Sequence, residues 1–211
     1  MLFRILQDPH DRPGHVDVGE HQDPGHPPHD FKDHAMPRLS LIEPAAAEGA
    51  AADVLSSAPF NIFKGMANNP VMMEGLMAMG GAISKSGAIS ALEAEAVMLR
   101  VSERNGCGYC LAAHTKIASG VGVDDAKAES FRRGEGTSDR ERALLRFADA
   151  VAEKNGCIED AELEAFRAAG FDDAAVVEVI AAIAWMTFTN LFNHVNETEV
   201  DFPPVVTPVG V

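Results

Sequence analysis

The sequence predicts an all-α protein, on two observations. Helix-start and helix-stop signals recur from Pro44 to the end of the apolar part of the chain, each bounding a stretch of helical composition. No run alternates apolar and polar residues long enough to make a strand.

Taken in order, Pro44 suits a first helical position, and the alanine-rich run behind it to Leu55 has high helix propensity. A short loop through Pro59 follows. Asn69-Pro70 opens a helix reaching about Ser86. Ser90-x-x-Glu93 reads as a capping box for a helix ending near Asn105-Gly106. The next helix carries Cys107, Cys110 and His114 and stops at Gly120. Asp124 can cap a helix to Arg133, and Thr137 or Ser138 one from Asp139 to Lys154. Asp160 reads as a simple cap, since Leu163 and not an acidic residue occupies the third helical position after it. Asp172 caps a long last helix from Asp173 to about Val195, and Asp201-Phe-Pro-Pro beyond it must be extended.

The domain reading is a His/Pro-rich extension over residues 1–35 followed by one helical domain over 36–211. Six of the eight histidines lie in that extension among prolines, glycines and aspartates, without apolar periodicity. Such a segment buries too little surface to offset its ordering entropy and is expected to be disordered, or to reflect a start assigned upstream of Met36. A His-rich metal-binding tail is the alternative. The formal net charge is −15. Three of the 17 basic and seven of the 32 acidic residues fall in residues 1–35, so the remainder keeps a net charge of −11. Nucleic acid and anionic membrane are therefore not expected partners, because phosphate binding needs basic patches. The first residues lack the apolar core and cleavage site of a signal peptide, and three cysteines make no secreted disulfide framework, so a cytoplasmic location is expected. The stretch from Ala174 to Phe192 is apolar enough to be taken for a membrane span. Glu178 within it and the asparagines that end it fit a buried central or interface helix better.

Cys107-Gly-Tyr-Cys110 with His114 four residues on carries the chemistry. Helix positions three apart have Cα atoms about 5–6 Å from each other, within reach of a disulfide. Placed on the opening turns of one helix, the three side chains form a single stripe: a reversible dithiol with a base beside it. Lowering a thiol from about 8.5 to about 6.5 takes roughly 2.7 kcal/mol. A helix N-terminus supplies about 0.3–1 kcal/mol when exposed and up to about 2 in favourable sites, so another group must contribute. His114 is the candidate on the same face. Glu95, set among Leu92, Ala96, Val97, Met98 and Leu99, is either a carboxylate on a wet helix face or a partly buried one that orients His114. Asn190 and His194 near the end of the last helix either reach the site or form an ordinary polar helix end. Glu153-Lys-Asn-Gly-Cys157 echoes Glu103-Arg-Asn-Gly-Cys107, but nothing around Cys157 repeats the second cysteine or the histidine. Cys157 is expected to be a bystander.

The run from Glu95 through Arg104-Asn-Gly-Cys107-Gly-Tyr-Cys110 to His114 resembles the signature of the AhpD-like alkylhydroperoxidases, in the carboxymuconolactone decarboxylase superfamily. The resemblance covers most of residues 36–204. It includes the approach from Phe60 to Pro70, and an ending from Asn190 to Pro203 similar to that of peroxidase-related members. It implies an AhpD-like helical bundle, homo-oligomers such as trimers or hexamers, and reduction of organic hydroperoxides or hydrogen peroxide by the dithiol. It also implies no cofactor beyond the redox disulfide, no metal, and an external reductant, lipoylated or thioredoxin-like. Glu95, Cys107, Cys110 and His114 match the family's positions. Tyr109 departs from them, since the best-described relatives have a histidine just before the second cysteine. A phenol with a pKa of about 10 can donate a hydrogen bond but relays protons poorly at neutral pH. On this reading Cys110 starts as the thiolate, its proton passing to His114 and towards Glu95, attacks the peroxide, and is resolved by Cys107. The reverse order of the two cysteines stays open. So do a dithiol sensor without turnover, a ring-opening decarboxylase and a zinc site, although the last lacks a fourth ligand.

Overall fold

A computed structural model describes residues 37–205. The expected disorder of residues 1–35 and the tail beyond Val205 lie outside the described residues. Among these, every regular element is helical, as the cap signals predict: a 3-10 turn at Pro44–Ala46, then α1 (Gly49–Ser57), α2 (Asn61–Met66), α3 (Pro70–Ser86), α4 (Ala91–Arg104), α5 (Gly108–Ser119), α6 (Asp125–Arg132), α7 (Asp139–Glu153), α8 (Asp160–Ala168) and α9 (Asp173–Asn196).

The starts follow their caps. The side chains of Asn69, Asp124 and Asp172 accept the backbone N–H three residues on, and Ser90 and Ser138 form full capping boxes with Glu93 and Glu141. Three expectations need correction. The alanine-rich stretch is split, because the 3-10 turn at Pro44–Ala46 ends in extended Ala47 and α1 begins only at Gly49. The approach Phe60-Asn-Ile-Phe carries the six-residue α2, which no side chain caps. The α8 start lies one residue earlier than Asp160: Glu159 is the cap residue, and the Glu162 carboxylate accepts its N–H at 2.8 Å.

α4 is the central element, packed against α5, α6, α7 and α9. Its mean composition is not apolar, yet it is buried from Glu95 to Glu103. Its charges are therefore paired inside the bundle, as buried charges must be. Arg100 Nε donates to Asp149 at 2.8 Å and its Nη1 to the Arg132 carbonyl at 2.7 Å, while Arg132 Nε meets Glu103 at 2.7 Å. One hydrophobic cluster fills the space between α1, α3, α4, α7 and α9, and a smaller one around Leu99, Leu111, Phe131 and Leu145 joins α4 to α5, α6 and α7.

α9 is long and apolar enough by composition to cross a bilayer, and half of that apolar window is buried in the bundle. Its inward face holds Glu178, whose carboxylate accepts the N–H groups of Ala88 and Ile89 at 2.9 and 3.3 Å, closing the loop between α3 and α4. Further on come Asn190, Asn193 and Asn196, all buried and spaced three apart. This polar ladder delivers α9 to the dithiol.

Candidate active site

The end of α4 sets the first cysteine. Gly106 adopts φ +65°, which is nearly cost-free for glycine alone, and the turn closes with Gly106 N–H on the Glu103 carbonyl (3.0 Å) and Cys107 N–H on the Ser102 carbonyl (2.9 Å). Asn105 Nδ2 ties this turn to Asn190 Oδ1 at 2.8 Å. Cys107 consequently stands outside the helix as the N-cap residue of α5, where its sulfur accepts the Cys110 N–H at 3.4 Å. This corrects the placement of both cysteines on the helix proper: Cys110 sits in the first turn and Cys107 caps it. The echo at Cys157 is not a second copy of the turn, since there Asn155 and Gly156 both take positive φ and the thiol is exposed.

Both sulfurs of the pair are free thiols 2.8 Å apart, at residues 1% and 3% exposed. The Cys110 S–H beside it lowers Cys107 most, against the penalty of burial; the His194 imidazole and the Cys110 backbone N–H add to this, and the thiol falls to about 5. Burial pushes Cys110 well up, reinforced by the neighbouring Cys107 sulfur, while the Asn193 and Asn190 amides oppose the rise. His194 is raised in turn, chiefly by its hydrogen bond to Cys107. These directions favour the negative charge on Cys107 over Cys110, the second of the two orders the sequence leaves open. The physical reason is position: the cap residue faces the Cys110 S–H first, and the His194 imidazole and the Cys110 backbone N–H with it.

Glu95 and His114 come together as well. Glu95 Oε2 lies 2.8 Å from His114 Nδ1, with the two residues 3% and 5% exposed, so Glu95 is not on a wet face. The Trp185 indole packs edge-on to the His114 ring at 6.0 Å and is itself fixed by donating to the Leu76 carbonyl at 3.0 Å. His114 and Cys110 open on one small cavity of about 60 Å³, whose other walls include Phe60, Phe63, Met77, Tyr109, Trp185 and Phe202. Glu95 lines a larger cavity of about 270 Å³ with Glu178, separated from the first by Ile117 and Trp185, which wall both.

Tyr109 lies beside the pair but is turned away from proton transfer. Its hydroxyl donates to Asp201 Oδ1 at 2.7 Å and accepts the Ile62 N–H at 3.3 Å. Burial first, and then the Asp201 carboxylate, keep the phenol protonated far above its ordinary range. Sequence reasoning missed Asn193. Its Nδ2 donates to Cys110 Sγ at 3.2 Å and stands 3.9 Å from Cys107 Sγ, while its buried Oδ1 has no partner. The signal available was the asparagine every third residue on an otherwise apolar helix.

An all-helical bundle with a buried dithiol at the start of an internal helix, backed by a Glu–His pair, is a narrow class. The profile of the Carboxymuconolactone decarboxylase family matches residues 70–150, from α3 through most of α7. An uncharacterized peroxidase-related protein from Ralstonia eutropha JMP134, described as an alkylhydroperoxidase AhpD core, superposes with a TM-score of 0.71 at 25% identity over 80% of this chain and 94% of its own. A protein of unknown function from Agrobacterium tumefaciens, described as an antioxidant-defence AhpD candidate, gives 0.58 at 25% identity over 64% and 94%. The debrominase Bmp8, as its C82A variant with 2,3,4-tribromopyrrole, shares the fold with a TM-score of 0.65 at 19% identity over 78% and 91%. No curated protein matches the sequence significantly. Residues 70–150 thus match the carboxymuconolactone decarboxylase family model, and the helical fold is that of the AhpD-like structures.

Proposed function

We propose that this protein is a thiol-dependent peroxidase that reduces organic hydroperoxides through Cys107 and Cys110. The observation that carries the reading is the pair itself: two reduced sulfurs 2.8 Å apart, one of which lines an apolar cavity together with a histidine held by a carboxylate. A dithiol at a substrate-sized opening with a proton donor beside it is suited to cleaving an O–O bond.

The pair shares one proton between its sulfurs in the resting state, with the charge on Cys107. Transfer of that proton across the Sγ–Sγ contact moves the charge to Cys110, the sulfur that faces the cavity, and Asn193 Nδ2 is placed to stabilise it there. Cys110 attacks the terminal peroxide oxygen; the O–O bond breaks, and the leaving alkoxide takes a proton from His114, which Glu95 orients. The product is a Cys110 sulfenic acid and an alcohol. The Cys107 sulfur then displaces hydroxide, which leaves as water with the Cys107 proton, and the Cys107–Cys110 disulfide forms. An external dithiol of the lipoyl or thioredoxin kind returns two electrons and two protons, one proton to the pair and one to His114, and no other cofactor is invoked. A soluble protein in the reducing cytoplasm fits this chemistry.

Steady-state consumption of tert-butyl hydroperoxide, with dihydrolipoamide-type and thioredoxin-type donors compared, tests the proposal. Turnover that requires a donor and both cysteines is expected. Stoichiometric oxidation without turnover under every donor would favour the dithiol sensor instead.

A further inference from the structure

We infer that Phe202, held in place by a Tyr109–Asp201 latch, is the specificity wall of the Cys110 cavity and restricts it to compact apolar substrates. The substrate class, small apolar organic hydroperoxides, rests on the peroxidase reading; the wall does not.

The chain leaves α9 at Glu197, whose φ of +49° ends the helix in a left-handed turn. Asp201 then holds two elements at once. Its Oδ2 accepts the Asn61 N–H at the start of α2 at 2.7 Å, and its Oδ1 accepts the Tyr109 hydroxyl of α5 at 2.7 Å. Asn61 returns the contact by donating from Nδ2 to the Glu199 carbonyl at 3.1 Å. These bonds seat Phe202 against Phe60 in a stack with centroids 4.7 Å apart and edge-on to Tyr109 at 5.5 Å. All three rings line the cavity that Cys110 and His114 share.

Two consequences follow. The space is narrow, about 60 Å³, and lined almost wholly by apolar side chains, so a compact apolar group fits it best. A bulkier substrate reaches Cys110 only if Phe202 swings out, and that requires breaking the latch. The departure from the relatives' pattern also acquires a reason. The hydroxyl at position 109 does not relay protons to sulfur; it fastens the C-terminal segment. Tyr109 and Asp201 are thus positioning residues, acting through Phe202.

The test reads access to one sulfur in the full-length chain with Cys107→Ser and Cys157→Ser, so that Cys110 is the sole thiol. Alkylation rates are measured with iodoacetamide, which is small, and N-phenylmaleimide, which is bulky and apolar. The ratio of the two rates cancels changes in thiolate fraction. Phe202→Ala, Tyr109→Phe and Asp201→Asn should each raise the maleimide-to-iodoacetamide ratio by roughly tenfold or more, the shift in open population expected when one charge-assisted hydrogen bond or its ring is lost. Phe202→Trp should lower the ratio. In the otherwise native protein, Phe202→Ala should raise kcat/KM for cumene hydroperoxide relative to tert-butyl hydroperoxide. An unchanged alkylation ratio in all three loosening variants overturns the inference. A raised ratio in a protein that turns over no peroxide upholds the wall and removes the peroxidase reading.

Discussion

At the scale of single residues, the site divides its charges between two imidazoles. His194 reaches Cys107 from α9, and His114 faces the Cys110 cavity from α5 with Glu95 behind it. Cys107, lowered to about 5, should be almost wholly thiolate at neutral pH. Alkylation of Cys107 in reduced Cys157→Ser protein should therefore stay flat from about pH 9 down to about pH 6 and fall only as pH drops through the folded value near 5. His194→Ala removes one of the groups that lower this thiol, so its titration should move upward and reactivity at pH 6 should drop. An unmoved profile would assign the lowered thiol to the Cys110 contact and the helix N-terminus alone. His114→Ala, by contrast, removes the proton donor for the leaving alkoxide and should cost turnover about 10²- to 10⁴-fold. Glu95→Gln should cost less, because it leaves the imidazole in place. Equal losses in the two variants would mean that the carboxylate does more than orient the ring.

At the scale of elements, the turn between α4 and α5 does more for the site than either helix alone. Gly106→Ala meets no side chain, so its whole cost is the left-handed backbone, about 1–2 kcal/mol, and it should lower the thermal midpoint while loosening the Cys107 cap. Gly80 is the other sensitive point: a Cβ there would stand 3.1 Å from the Trp185 ring that packs on His114. Most of this layer was legible in the sequence, because a cap is a local event. Asn69, Ser90, Asp124, Ser138 and Asp172 each bond within three residues of themselves, so the cap residues mark these starts in the sequence, with Thr137 and Ser138 left as alternatives for α7. α2 escaped because six residues without a side-chain cap leave no such mark. The long-range partners of the site escaped for a different reason. Tyr109 meets Asp201 across 92 positions and Asn193 meets Cys110 across 83, and nothing in spacing connects residues that only the path of α9 brings together. The same non-locality hid which cysteine holds the charge, since His194, 87 residues from Cys107 in sequence, helps decide it.

At the scale of the whole molecule, α9 leaves a second apolar face uncovered. Val177, Ile180, Ala184, Phe188, Leu191 and Val195 recur at helical spacing along its outer side and are exposed, although the opposite face of the helix is buried in the bundle. A continuous stripe of this length favours association between copies of the chain. Light scattering should give a mass at least twice 22.4 kDa, and Phe188→Lys with Leu191→Lys should shift it towards one chain. A wild-type monomer at micromolar concentration would leave the stripe unexplained.

The proposed activity depends on the dithiol acting as one redox unit. The most direct test is peptide mapping of the reduced protein after one equivalent of tert-butyl hydroperoxide, with the remaining peroxide measured in parallel. The account predicts that the peroxide is consumed, that Cys107 and Cys110 are recovered in one intramolecular disulfide, and that Cys157 remains a free thiol. A bridge involving Cys157, or consumption of peroxide with Cys107 and Cys110 both still reduced, would contradict it.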